Sequence, residues 1–212
     1  MYVPRFNTLD DLAAIRAMVH GVGAAELVTV SGDGYPAATR LPVIWDEAGG
    51  RLVFHLARAN PQWRDVPTDA EVPALAVVTD AEAYVSPAWY ATKAEHGRVA
   101  PTWNYSAVHF TGRLRRREDP AWLLDAVTRL TELHEGRRAE PWAVSDAPAT
   151  YVEKQLRAIV GLELRIERVE AKAKLSQNRS VEDRAGVVAG CATKGALEMR
   201  SWPSRCNASS SQ

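Results

Sequence analysis

The sequence predicts an α+β fold that is mainly β in its core: an antiparallel barrel or sandwich with helices attached. Apolar, β-branched runs come in groups separated by turn signals instead of alternating with helices. Roughly six or seven such runs stand beside four or five helical patterns. The 212 residues, 46% hydrophobic and 25% charged, suit a globular chain, with no sign of disorder, collagen or a free-standing coiled coil.

The first element reads as a helix. Thr8 is placed to cap it, Asp11 completes a capping-box pattern, and Leu9, Leu12, Ala13, Ile15 and Met18 recur at helical spacing until Gly21 and Gly23. Three strands follow, at 26–31, 37–45 and 51–57, divided by turns at Gly32–Pro36 and Asp46–Gly50, and together they read as an antiparallel meander. Asn60-Pro61 opens a short helix, with Asn at the cap and Pro at the first helical position. Residues 73–79 form a dense apolar strand and 83–86 another. Residues 87–105 are irregular and aromatic, and 106–114 alternate as a strand.

Asp119-Pro120 opens the middle helix, which carries Trp122, Leu123, Val127, Leu130 and Leu133. A further helix is expected from Thr150 through Ile159 and Val160, stopped by Gly161, followed by a half-exposed strand at 162–169. A last helix spans about 180–189. One domain is expected over 1–190, with 191–212 a divergent, frayed tail in which apolar periodicity is lost.

Lys plus Arg and Asp plus Glu are 26 each, so the formal charge is zero. That balance gives no support to non-specific nucleic-acid binding, which draws on a basic excess. No apolar stretch approaches the ~20 residues of a membrane span. The start, Met1 to Phe6, lacks a signal-peptide pattern, and a cytoplasmic location is expected. Cys191 and Cys206 match no metal or redox spacing, and the five histidines include no close pair, so no metal site is expected.

Four segments can carry chemistry. In Phe54 to Trp63 a strand runs into a helix start beside Arg58, which suits an anion such as phosphate. Taken alone it reads first as an ordinary helix cap with a solvated arginine, since capping of this kind is commonplace. Six of the chain's aromatics (Tyr84, Trp89, Tyr90, Trp103, Tyr105 and Phe110) fall in one irregular stretch, fitting a wall for a planar ligand, a subunit contact or a packed loop. Lys172 and Lys174 point the same way on an extended segment, placed to meet one anion or to remain a solvated face. Arg40, in an otherwise apolar strand, calls for an anionic partner. No nucleophile elbow, phosphate-cradling loop, dinucleotide fingerprint or His-Glu-x-x-His motif is present. Glu95-His96 and His134-Glu135 are acid–base pairs only in name, since adjacent residues need not face each other.

Four blocks, His55-Leu56-Ala57-Arg58-Ala59-Asn60-Pro61-Gln62, Tyr84-Val85-Ser86-Pro87-Ala88-Trp89-Tyr90, Val99-Ala100-Pro101-Thr102-Trp103-Asn104-Tyr105 and Lys172-Ala173-Lys174-Leu175-Ser176-Gln177-Asn178-Arg179, occur in order. Together they resemble the FMN-binding negative transcriptional regulators, the PaiB-like protease synthase and sporulation negative regulatory proteins, from Met1 to about Gly190. The resemblance implies a split β-barrel and a homodimer holding FMN between subunits. By motif position it places Arg40, Arg58, Asn60 and Gln62 near the phosphate and ribityl chain, and His55 at the ring. Trp103, Asn104 and Tyr105 would approach the flavin, while Lys172, Lys174, Gln177 and Asn178 would close the site. A flavin-binding regulatory module is the leading expectation. An FMN-dependent oxidoreductase acting on a small molecule is the alternative; there the flavin would carry the redox chemistry and no side-chain catalytic set would be required. DNA is an allowed partner without support from the net charge, and the membrane is not expected as one.

Overall fold

The computed structural model describes residues 1–193, which form seven strands and five α-helices. In chain order these are α1 (Leu12–Val22), β1 (Ala24–Val30), β2 (Pro36–Pro42), β3 (Ile44–Asp46), β4 (Arg51–Ala57), β5 (Val72–Val85), α2 (Thr92–His96), β6 (Thr102–Arg117), α3 (Pro120–Glu135), α4 (Ala149–Arg157), β7 (Ile159–Lys174) and α5 (Val181–Thr193). Of the tail expected from 191, the first three residues complete α5, and 194–212, with Cys206, lie outside the described residues. No described helix is long and apolar enough to cross a membrane.

The strands form one sheet in the order β2-β1-β5-β6-β7-β4-β3. β1 pairs antiparallel with β2 and β5, and β4 with β3 and β7. The two edge strands, β2 and β3, are joined by Val43 alone. A flat sheet of this order would be about 29 Å wide, whereas a one-residue link reaches about 7 Å. The sheet therefore curls until its edges approach without bonding to each other, which is a barrel split along that seam. This corrects the meander reading. The run expected as one strand over 37–45 breaks at Val43 and serves opposite edges of the sheet.

The chain gathers into two compact units. The larger comprises Arg16–Val78 and His109–Val169, and the smaller Met1–Ile15, Thr79–Val108 and the described residues from Glu170.

In the larger unit, strand alternation sends Leu52, Phe54 and Leu56 of β4 and Val160, Leu162 and Leu164 of β7 to one buried face. Phe110 also lies in the core and meets Trp45 edge-on, with ring centroids 5.0 Å apart. α3, capped by Asp119 accepting from the Trp122 N–H, covers the opposite face of β4 and β7. Its Ala126 and Leu130 pack with Ile44 and Val53, and its Trp122 ring lies where a Gly161 Cβ would fall. Gly23 closes α1 at φ +64, and a Cβ there would stand 2.6 Å from the His134 ring, so both the turn and the neighbour require glycine.

The smaller unit packs Val85, Tyr90, Leu175, Val187 and Cys191 into a core of its own. Two glycines of α5 face Trp89, and buried Asp183 accepts from the Thr92 backbone N–H and hydroxyl.

Several boundaries differ from expectation. Asp11, not Thr8, caps α1, by accepting from the Ala13 N–H; Thr8 instead bridges to Lys172. The strands expected at 73–79 and 83–86 are the single β5. Ile159 and Val160 open β7 instead of ending α4, because β-branched residues beside β4 gain more from the ladder than from one more helical turn.

Candidate functional site

On the larger unit, β4 and the turn after it present the first block. Asn60 caps the 3-10 turn Pro61–Asp65, its Oδ1 accepting from the Gln62 N–H at 3.0 Å while its Nδ2 donates to Thr39 Oγ1 at 3.0 Å. The buried Gln62 Nε2 donates to the Leu27 and Ala37 carbonyls and to Thr29 Oγ1, and Thr39 Oγ1 donates to Gln62 Oε1. Both amides are thus spent on tying the turn to β1 and β2, where Leu27 stands opposite Thr39 and Thr29 opposite Ala37. Arg40 lies on the other face of β2 from Thr39. It is exposed and paired with Glu26, its cross-strand neighbour. The structure does not bring Arg40 together with the amides of Asn60 and Gln62.

Arg58 follows the end of β4. Its Nε donates to the Arg157 carbonyl at 3.0 Å, one terminal nitrogen to the Ile159 carbonyl at 3.2 Å and the other to Glu118 at 2.8 Å. It thereby satisfies a carbonyl at the end of α4 and one at the start of β7, and two of its five N–H donors remain uncommitted. Trp63 donates its ring N–H to the Arg58 carbonyl. The guanidinium carbons of Arg58, Arg64 and Arg116 lie 5.7, 5.5 and 5.1 Å from the Trp63 ring.

His55 sits on the α3 side of β4, opposite Gly161. It lines a cleft of about 340 Å³ with Pro42, Leu130, Thr131, His134, Glu135 and Trp142. Its Nδ1 is buried without a hydrogen-bond partner, and burial pushes its pKa below the ordinary value, so the neutral ring is favoured. The wall that α3 contributes escaped the sequence reading, which set His134-Glu135 aside as adjacent. The signal was the helical spacing of Val127, Leu130, Thr131 and His134, which puts them on one face.

On the smaller unit, the exposed Trp103 donates its ring N–H to Glu82 at 3.1 Å and stands 6.3 Å from the Tyr84 ring. Asn104 is fully buried, its Nδ2 donating to Ser176 Oγ at 2.8 Å and its Oδ1 left without a partner. Lys172 is only 7% exposed, with its ammonium 5.1 Å from the Tyr105 ring centroid and 3.3 Å from the Tyr2 carbonyl oxygen. Lys174 donates to Thr102 Oγ1 at 2.6 Å. Gln177 is committed to the turn after β7: it accepts from the Leu175 N–H and donates to the Phe6 and Ala173 carbonyls. Asn178 is exposed.

A family model described as "Putative FMN-binding domain" matches residues 1–168. Among curated proteins, the chain is 30% identical over 190 residues to protease synthase and sporulation protein PAI 2 of Bacillus subtilis, covering 89% of this chain and 87% of that one. Among solved structures, it resembles the conserved hypothetical protein Rv2991 of Mycobacterium tuberculosis, with a TM-score of 0.60 at 15% identity over 85% of this chain and 94% of that one. It also resembles an FAD and heme binding protein of Mycobacterium smegmatis, with a TM-score of 0.60 at 18% identity over 90% and 81%. At such identities these two structures bear on the fold alone.

Proposed function

The chain belongs to the FMN-binding domain family, with FMN as its cofactor, and from that premise we propose that it binds FMN as a homodimer and serves a PaiB-like regulatory role. The observation that carries the cofactor is the family match across 1–168; the regulatory half is supported by the likeness to the sporulation protein over most of both chains.

The larger unit offers groups that fit FMN. The cleft at His55 has the lower range of volume for small-molecule sites. Pro42, Leu130 and Trp142 give it apolar walls, and the unpartnered Nδ1 of His55 and the Thr131 hydroxyl suit the polar edge of a flat ring. Arg58 lies three residues further along the chain, just past the end of β4 and at most about 10 Å away, with two N–H donors for a phosphate. Asn60 and Gln62 serve this site by fixing the turn that presents Arg58, whereas Arg40 is committed to Glu26 on the other face of β2. On the smaller unit, Trp103 and Tyr105 are suited to ring or subunit contact, Asn104, Lys172 and Lys174 to a polar or anionic group, and Gln177 and Asn178 to shaping the turn beside them. FMN, when bound, supplies a redox-active ring and a dianionic phosphate.

The test is the visible absorption of purified protein after FMN addition and desalting, which should retain flavin. Arg58→Ala should weaken FMN binding by about 1.5–3 kcal/mol, the range for charged hydrogen bonds. Unchanged affinity in a titration removes Arg58 from the site.

A further inference from the structure

We propose that the smaller unit carries a binding site for a small oxyanion, a phosphate or a carboxylate, built from Lys172, Lys174 and Asn104. The proposal stands whether or not the cleft at His55 holds the flavin.

A lysine as enclosed as Lys172 ordinarily has a carboxylate against it, because removing an ammonium from water is costly unless an opposite charge repays it. No carboxylate lies within ion-pair distance of Lys172 or Lys174 among the described residues. Lys172 has one carbonyl at 3.3 Å and the ring faces of Tyr105 and Tyr2, at 5.1 and 5.9 Å. These contacts solvate the ammonium but do not neutralise it. Lys174 spends one of its three donors on the Thr102 hydroxyl. The two lysines alternate on β7 and so share a face, as Thr102 and Asn104 do on β6.

An unused acceptor stands two residues along β6 from Thr102, the residue that Lys174 reaches. Asn104 has no exposed surface, and its Oδ1 has no partner while its Nδ2 is held by Ser176. Ser176 is buried and is the only non-glycine at positive φ among the described residues, at +63, a conformation that costs a serine free energy. A ligand with an oxyanion beside an O–H or N–H donor would satisfy both deficits: the ammonium groups meet the anion, and Asn104 accepts from the donor. A protonated phosphate, a hydroxy acid and the phosphate end of FMN with its neighbouring hydroxyls share that chemistry.

The test uses the full chain. Inorganic phosphate is titrated at constant ionic strength, with chloride as the balancing salt, and binding is read by thermal shift and calorimetry. The wild type and Lys154→Gln, a change at an exposed lysine of α4, should show the same saturable response, and Lys174→Gln should weaken it at least tenfold. Lys172→Met should abolish it; should that variant fail to fold, Lys174→Gln carries the test. Competition distinguishes the sources. Displacement of phosphate by FMN but not by riboflavin assigns the site to the cofactor's phosphate, and displacement by neither assigns it to a separate small anion. A wild type without a saturable response, or a Lys174→Gln variant that titrates like the wild type, overturns the proposal. Flavin retention is read independently by absorbance, so failure here is distinct from failure of FMN binding.

Discussion

His55 is an imidazole that folding removes from water without giving its Nδ1 a partner. Its folded pKa is lowered, so below about pH 6.5 the unfolded chain takes up the proton first. Stability then falls as the pH drops, because the unfolded state binds more protons. Urea unfolding at about pH 7.5 and 5.5 should show this loss, and His55→Gln should flatten the dependence; an unchanged slope would place the titration elsewhere. At this scale the sequence reading was uneven. Asn60 was legible as a cap because capping is a local act of one side chain on the next turn. The bonds of Gln62 were not, since its partners Leu27, Thr29 and Ala37 lie 25 to 35 residues away.

Among elements, β4, β6 and β7 are joined by one buried carboxylate. Glu163 meets Arg51 of β4 and Arg115 and Arg117 of β6, with its own side chain 3% exposed. Burial pushes its pKa up, but the Arg115 hydrogen bond and the charges of Arg117, Arg115 and Arg51 more than offset this and hold it below the usual carboxylate value. Its contribution is present above the unfolded value of about 4.3 and is lost as pH falls through the folded one. Glu163→Gln strips Arg115 and Arg117 of their anion and leaves Arg51 with Asp46 alone, and should cost about 2–3 kcal/mol at neutral pH, below the range for wholly buried pairs because the arginines keep contact with water. Denaturant unfolding measures it; a cost under half a kcal/mol, roughly a surface-pair value, would show that water screens the cluster. Element existence was largely legible, as with α3, whose cap, proline and apolar spacing agree. The break at Val43 and the start of β7 at Ile159 were not, because both are set by which strand lies alongside.

For the whole molecule, FMN bound only to the folded state should stabilise it by about 2.7 kcal/mol at a hundredfold excess over Kd, seen as a rise in Tm that riboflavin reproduces less well. Light scattering should give twice the 23.3 kDa chain mass; a monomer that retains FMN would dismiss the dimer while leaving the cofactor. By itself the sequence determined the mainly β class, most of the elements and, through four ordered blocks, the family, since apolar periodicity, caps and motif residues are written locally along the chain. Tertiary structure alone decided that β2 and β3 form the two edges of a split barrel, that Gln62 is spent inside it, that α3 completes a cleft over His55 and that Lys172 is buried with no carboxylate within ion-pair distance among the described residues. Each of those outcomes depends on which distant residues curling the sheet and packing the helices bring into contact, and on the water those contacts exclude.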